Sequence, residues 1–121
     1  MRGKAIAAVV GGSLLVLSSA AHAFLGWPAM SAALKDTDAT PELTTDLTIA
    51  WLFGSTAMLA FGIIVLVFGL LLMRGGNADR RPSMVIAACY FGFGLAAFVW
   101  TRYNPHFIGF MVIGAVVAFA T

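Results

Sequence analysis

The chain has 121 residues, of which 61% are hydrophobic and only 10% charged. A soluble domain is roughly 45–50% apolar and about 25% charged, so too few charges are present to cover a water-facing surface, and a lipid bilayer is the expected solvent. Seven Lys and Arg against five Asp and Glu give a net charge of +2 with no basic stripe, which argues against nucleic acid as a partner. A single cysteine, Cys89, excludes an intrachain disulfide framework and a Cys-based zinc or iron–sulfur site within one chain.

A helix needs about 20 mostly apolar residues to cross roughly 30 Å of hydrocarbon, and four runs qualify. The first covers about 5–25 and carries no charge, although Ser18, Ser19 and His22 make its far end more polar. The second covers about 41–73. Thr40 is placed to cap its exposed N–H groups, Pro41 suits the first helical position, and Glu42 and Asp46 sit near the positive end of the helix dipole. The third covers about 84–101. The fourth, 105–121, opens with Asn104-Pro105, the same cap-then-proline signal, and is near the lower length limit for a span.

These runs predict an all-α integral membrane protein, a single domain of four transmembrane helices in an up-and-down bundle. Its connections are an outer loop at 26–40, a cytoplasmic loop at 74–83 and a second outer loop at 102–104. Arg2, Lys4, Arg74, Arg80 and Arg81 fall on one side, while only Lys35 and Arg102 fall on the other. Positive charge marks cytoplasmic loops, so both termini are expected in the cytoplasm and the protein in a bacterial inner membrane. Trp27, Trp51 and Trp100, with Tyr103, fall at the outer ends of their spans, as aromatic interface anchors do.

The first run has a second reading. Arg2 and Lys4, the apolar stretch from Ala5 and the close Ala21-His22-Ala23 also describe a secretory signal peptide cleaved after Ala23. Against it, the apolar run continues through Phe24 and Leu25 to Trp27, long enough for a retained span. In the outer loop, Met30, Ala33 and Leu34 share a helical face, which fits a short helix lying on the outer leaflet. Asp36, Asp38 and Glu42 make this loop acidic but lack the spacing of a calcium loop. The linker Arg74-Gly75-Gly76-Asn77 and onward has no phosphate-loop pattern.

Helices associate in lipid through small residues. Ala88, Gly92 and Ala96 recur every four residues in the third span, Gly54, Gly62 and Gly69 lie in the second, and Gly109 and Gly114 in the fourth. They are read as packing seams, within one chain or between copies. Cys89 beside them is read as a small packing residue.

No Asp, Glu, Lys, Arg or His lies between Asp46 and Arg74, or between Arg81 and Arg102, so a proton path built on an intramembrane carboxylate is disfavoured. No activated nucleophile is visible. One constellation stands out: His22 ends the first span and His106 begins the fourth, at similar depth near the outer interface. First and last helices are neighbours in an up-and-down bundle, so the two imidazoles can face each other. That arrangement suits haem b ligation or quinol binding, with Arg102 beside a haem propionate. The competing reading gives each histidine an anchoring role at the interface. The primary functional expectation is therefore a non-enzymatic accessory or assembly subunit that packs with itself or within a larger membrane complex. The alternatives are an outer-face redox module using His22 and His106, and a small oligomeric transporter of an uncharged solute.

Overall fold

The computed structural model describes residues 2–121. Every regular element is helical: α1 (Arg2–Ala21), a π-helical turn (His22–Gly26), α2 (Trp27–Lys35), α3 (Pro41–Met73), α4 (Arg81–Trp100), a 3₁₀ turn (Pro105–Phe107) and α5 (Ile108–Ala120). Three helical segments, Arg2–Lys35, Pro41–Met73 and Arg81–Trp100, are long and apolar enough to cross a membrane, and Pro105–Ala120 is a shorter apolar helix. Large apolar side chains face outward on each of them, among them Leu17, Ile63, Val85 and Phe119. Water would make that surface costly, and hydrocarbon would not.

The chain forms two helical hairpins of unequal length. The first pairs α1 and α2 with α3. At 34 and 33 residues, each arm extends about 50 Å at 1.5 Å per residue. The second pairs α4 with α5, and α1 joins the two by packing on both α3 and α5. One end of the bundle carries Arg2, Lys4, Arg74, Arg80 and Arg81. The other carries Trp27, Trp51, Trp100 and both histidines. They are called the basic end and the aromatic end below.

Glycine sets the spacing within both hairpins. A Cβ built on Gly12 would lie 2.5 Å from the backbone nitrogen of Leu66; on Gly62, 2.8 Å from that of Val16; and on Gly69, 2.7 Å from that of Val9. On the second hairpin a Cβ at Gly114 would meet the Phe91 nitrogen at 2.7 Å, and one at Gly94 the Met111 nitrogen at 2.8 Å. Backbones this close gain dispersion contact that larger side chains would prevent. Leu15, Val65, Ile86, Ala87, Tyr90 and Val117 then interlock as one buried cluster fed by α1, α3, α4 and α5.

One feature differs from the sequence reading. Residues 26–40 are not a loop from Gly26 onward: the first helix runs unbroken to Lys35, and only residues 36–40 form the turn into α3. Gly26-Trp27-Pro28 reads as a breaker because proline has no N–H and clashes with the carbonyl four residues back. Here the helix accommodates it by opening one π-helical turn, in which the Trp27 N–H reaches the carbonyl of His22.

On α4, Ala88, Gly92 and Ala96 are exposed, as is Cys89, and a Cβ on Gly92 would meet nothing within 4 Å, so this seam read from the sequence is not one within the chain. The face that packs within the chain is Ser83, Ile86, Ala87, Tyr90 and Gly94. Gly54 is likewise no close-contact glycine, since a Cβ there would approach only the His22 ring, at 3.9 Å. The Trp51 indole is half-buried and serves the site described next. Trp100 and Tyr103 are well exposed at the aromatic end.

Candidate functional site

At the aromatic end the hairpins part. Between them lies a cavity of about 820 Å³, bounded by α1, the π-helical turn, α2, α3, α4 and α5. That is within the range of about 300–1,000 Å³ typical of small-molecule sites. Both histidines line it.

One wall is built on the first hairpin. The His22 ring lies face to face on the Trp51 indole, with centroids 4.2 Å apart and planes at 9°. Trp51 Nε1 donates to the His22 carbonyl at 2.7 Å, the same carbonyl that accepts the Trp27 N–H. Gly26 makes room for this arrangement, because a Cβ there would lie 2.9 Å from the indole. His22 Nδ1 is 2.8 Å from Ser55 Oγ, and Ser55 Oγ is 3.1 Å from the Trp51 carbonyl. The Ser19 hydroxyl donates to the Ser55 carbonyl at 2.7 Å and fixes α1 against α3 one turn below.

The proton positions follow from the partners. The Ser55 hydroxyl lies within donating distance of the Trp51 carbonyl, one turn back in α3; when it donates there, its oxygen accepts from His22 and Nδ1 carries the hydrogen. Only this assignment makes both bonds. The neutral ring's Nε2 is then a bare lone pair, and among the described residues it has no partner.

The opposite wall belongs to the second hairpin. Tyr90 stacks on Phe110 at 5.9 Å and meets Phe61 edge-on at 6.4 Å, while Phe93 meets Phe110 edge-on at 5.2 Å. His106 is exposed and packs against the edges of Phe107 and Phe110. Its position is set by the tight turn after α4, where Arg102 and Tyr103 adopt positive φ of 55° and 71° and Asn104 Oδ1 accepts the His106 backbone N–H at 3.0 Å. Left-handed backbone at two non-glycine residues is costly, and the Tyr103 N–H bond to the Phe98 carbonyl at 2.7 Å helps to hold it.

Tyr90 adds a feature that the sequence did not single out. The residue is only 6% exposed, it lines the cavity, and its hydroxyl has no hydrogen-bond partner. A buried hydroxyl without a partner costs about 1–3 kcal/mol. From sequence it looked like one aromatic among many in an apolar span.

The structure thus brings His22 and His106 to one cavity, together with Met30, Met58 and the aromatic residues, and leaves Arg102 outside its lining. No Asp, Glu, Lys or Arg lines it, and among the described residues no group of three or more His, Cys, Asp or Glu is arranged to hold a metal ion. The chain matches no known family model, no curated protein and no solved structure, so the chemistry of the site rests on its own geometry.

Proposed function

We propose that this is an integral protein of a bacterial inner membrane whose aromatic half is a binding chamber for an uncharged, ring-bearing, lipid-soluble molecule. The observation that carries this reading is that His22 and His106 share one aromatic-walled cavity with no charged residue in its lining. Such walls favour planar apolar rings, and two imidazoles supply a small number of polar contacts. The basic end is cytoplasmic in this reading, by the distribution of Lys and Arg, and the chamber opens towards the outer leaflet. A retained first span is part of the proposal. Its support is that α1 touches both α3 and α5 and places Ala8, Gly12 and Leu15 in the interior, a fit that a discarded leader has no reason to possess.

Haem b ligation by the two histidines is a second reading, favoured by the free Nε2 on His22, since a ligating imidazole characteristically donates its other nitrogen to a fixed partner. It has less support than an uncharged ring, because Arg102 does not reach the cavity to meet a propionate. The accessory-subunit role is compatible with either, with the uncovered Ala88, Gly92 and Ala96 face of α4 available for a neighbouring helix.

The test is to purify the full chain in mild detergent from its own membrane, record its visible spectrum oxidised and reduced, and identify the organic-extractable small molecules by mass spectrometry. A colourless protein carrying a near-stoichiometric ring lipid is the expected result. A Soret band would transfer the site to haem. A colourless protein with phospholipid alone would leave only the packing role.

A further inference from the structure

We infer that the chamber selects the reduced, hydroxyl-bearing form of a quinone-class ring, a hydroquinone, over the oxidised dione, with a ligand hydroxyl donating to Nε2 of His22. This inference rests on the chamber being a ligand site, and it specifies the ligand's functional group.

The argument starts from the relay through Ser55. With the Ser55 hydroxyl donating to the Trp51 carbonyl, the assignment that makes both contacts, His22 carries its hydrogen on Nδ1 and has a lone pair at Nε2. A dione oxygen has only lone pairs and gains nothing from that atom. A phenolic hydroxyl is a donor and pairs with it directly. The imidazole is also held in place, clamped between its bond to Ser55 and its stack on Trp51, so little ordering remains to be done on binding.

The rest of the chamber narrows the class. Tyr90, Phe93, Phe107 and Phe110 form an aromatic wall opposite Trp51, which suits a flat ring of similar size. The lining has no charge, so carboxylate and ammonium ligands would be desolvated without compensation. His22 therefore sets the preference between forms.

The experiment is calorimetric titration of the detergent-solubilised full chain, under argon, with three probes that share one ring and one decyl tail: a benzohydroquinone, its benzoquinone and its dimethyl ether. The hydroquinone is expected to bind about tenfold tighter than the other two, the discrimination typical of one hydrogen bond whose partner would otherwise go unpaired. His22→Phe preserves the ring stack on Trp51 and should bring all three affinities to within about twofold of one another. Ser55→Ala, which frees the tautomer, should reduce the preference without removing it. Equal binding of hydroquinone and dimethyl ether by the unmodified chain, or tighter binding of the quinone, overturns the inference while leaving the chamber standing. Failure of all three probes to bind removes the chamber reading and the inference with it.

Discussion

The two ends of this bundle are made from the same helices and almost the same residue types, yet one is closed and the other hollow. Towards the basic end, glycine recurs wherever a helix crosses its partner, and a single added carbon on Gly12, Gly62 or Gly69 would enter a neighbouring backbone. Towards the aromatic end Gly94 still packs close on Met111 within its hairpin, but Trp51, Tyr90, Phe93, Phe107 and Phe110 line a cavity between the two hairpins. Side-chain size at the crossings, rather than hydrophobicity, distinguishes the two halves, because large apolar side chains face outward at both ends. The closed half gives the molecule its fold, and the open half has the room and the few polar atoms that binding requires.

This contrast can be broken in several ways, the most severe being loss of α1. A chain lacking residues 1–23 loses the helix that joins the hairpins, and it should fail to give a monodisperse helical protein in detergent. The intact mass of the protein purified from its membrane should correspondingly retain those residues. Next, Gly12→Leu drives a side chain into the Leu66 backbone and should cost about 3 kcal/mol, the upper part of the usual overpacking range, seen as an earlier midpoint in a denaturation series. A milder lesion is Ser55→Ala, which removes the hydrogen bond that ties His22 to α3 and should cost about 1 kcal/mol. Smallest of all is Gly92→Val on the uncovered face of α4. It should leave monomer stability within about 0.5 kcal/mol, and any change in the apparent oligomer size by crosslinking would assign that face to a neighbour.

Part of the fold could be read from residues alone. Thr40 accepts the Leu43 N–H at 3.2 Å and Asn104 accepts that of His106, so the signals Thr40-Pro41 and Asn104-Pro105 do start helical segments. These are local rules, decided within one turn. The facing of α4 was not readable, because two small-residue stripes share that helix and an amphipathic contrast, which would separate them in water, is missing in an apolar span. The continuity of the first helix was hidden for another reason. The π-helical turn before Pro28 is accompanied by a second donor to the His22 carbonyl, Trp51 Nε1, which is 29 residues away.

The candidate site was legible in part. The matched depths of His22 and His106 suggested a shared location, and both do line the cavity. Sequence could not supply the tautomer of His22, which depends on Ser55 from another helix, nor the isolation of the Tyr90 hydroxyl. Arg102 is close to His106 in the chain but its turn directs the backbone through left-handed conformations, and proximity in sequence did not become proximity at the cavity.

The central claim, that the aromatic half is a functional void in an otherwise tightly packed bundle, is tested most directly by filling it. Gly109 lines the cavity, and a Cβ there meets nothing within 4 Å. Titration of the unmodified chain and of Gly109→Trp with the same decyl-tailed benzohydroquinone, at matched thermal stability, should show saturable binding to the first and none to the second. Equal binding by both would contradict the account, because the ligand would then be associating with the outer surface of the helices and the cavity would be only a gap between them.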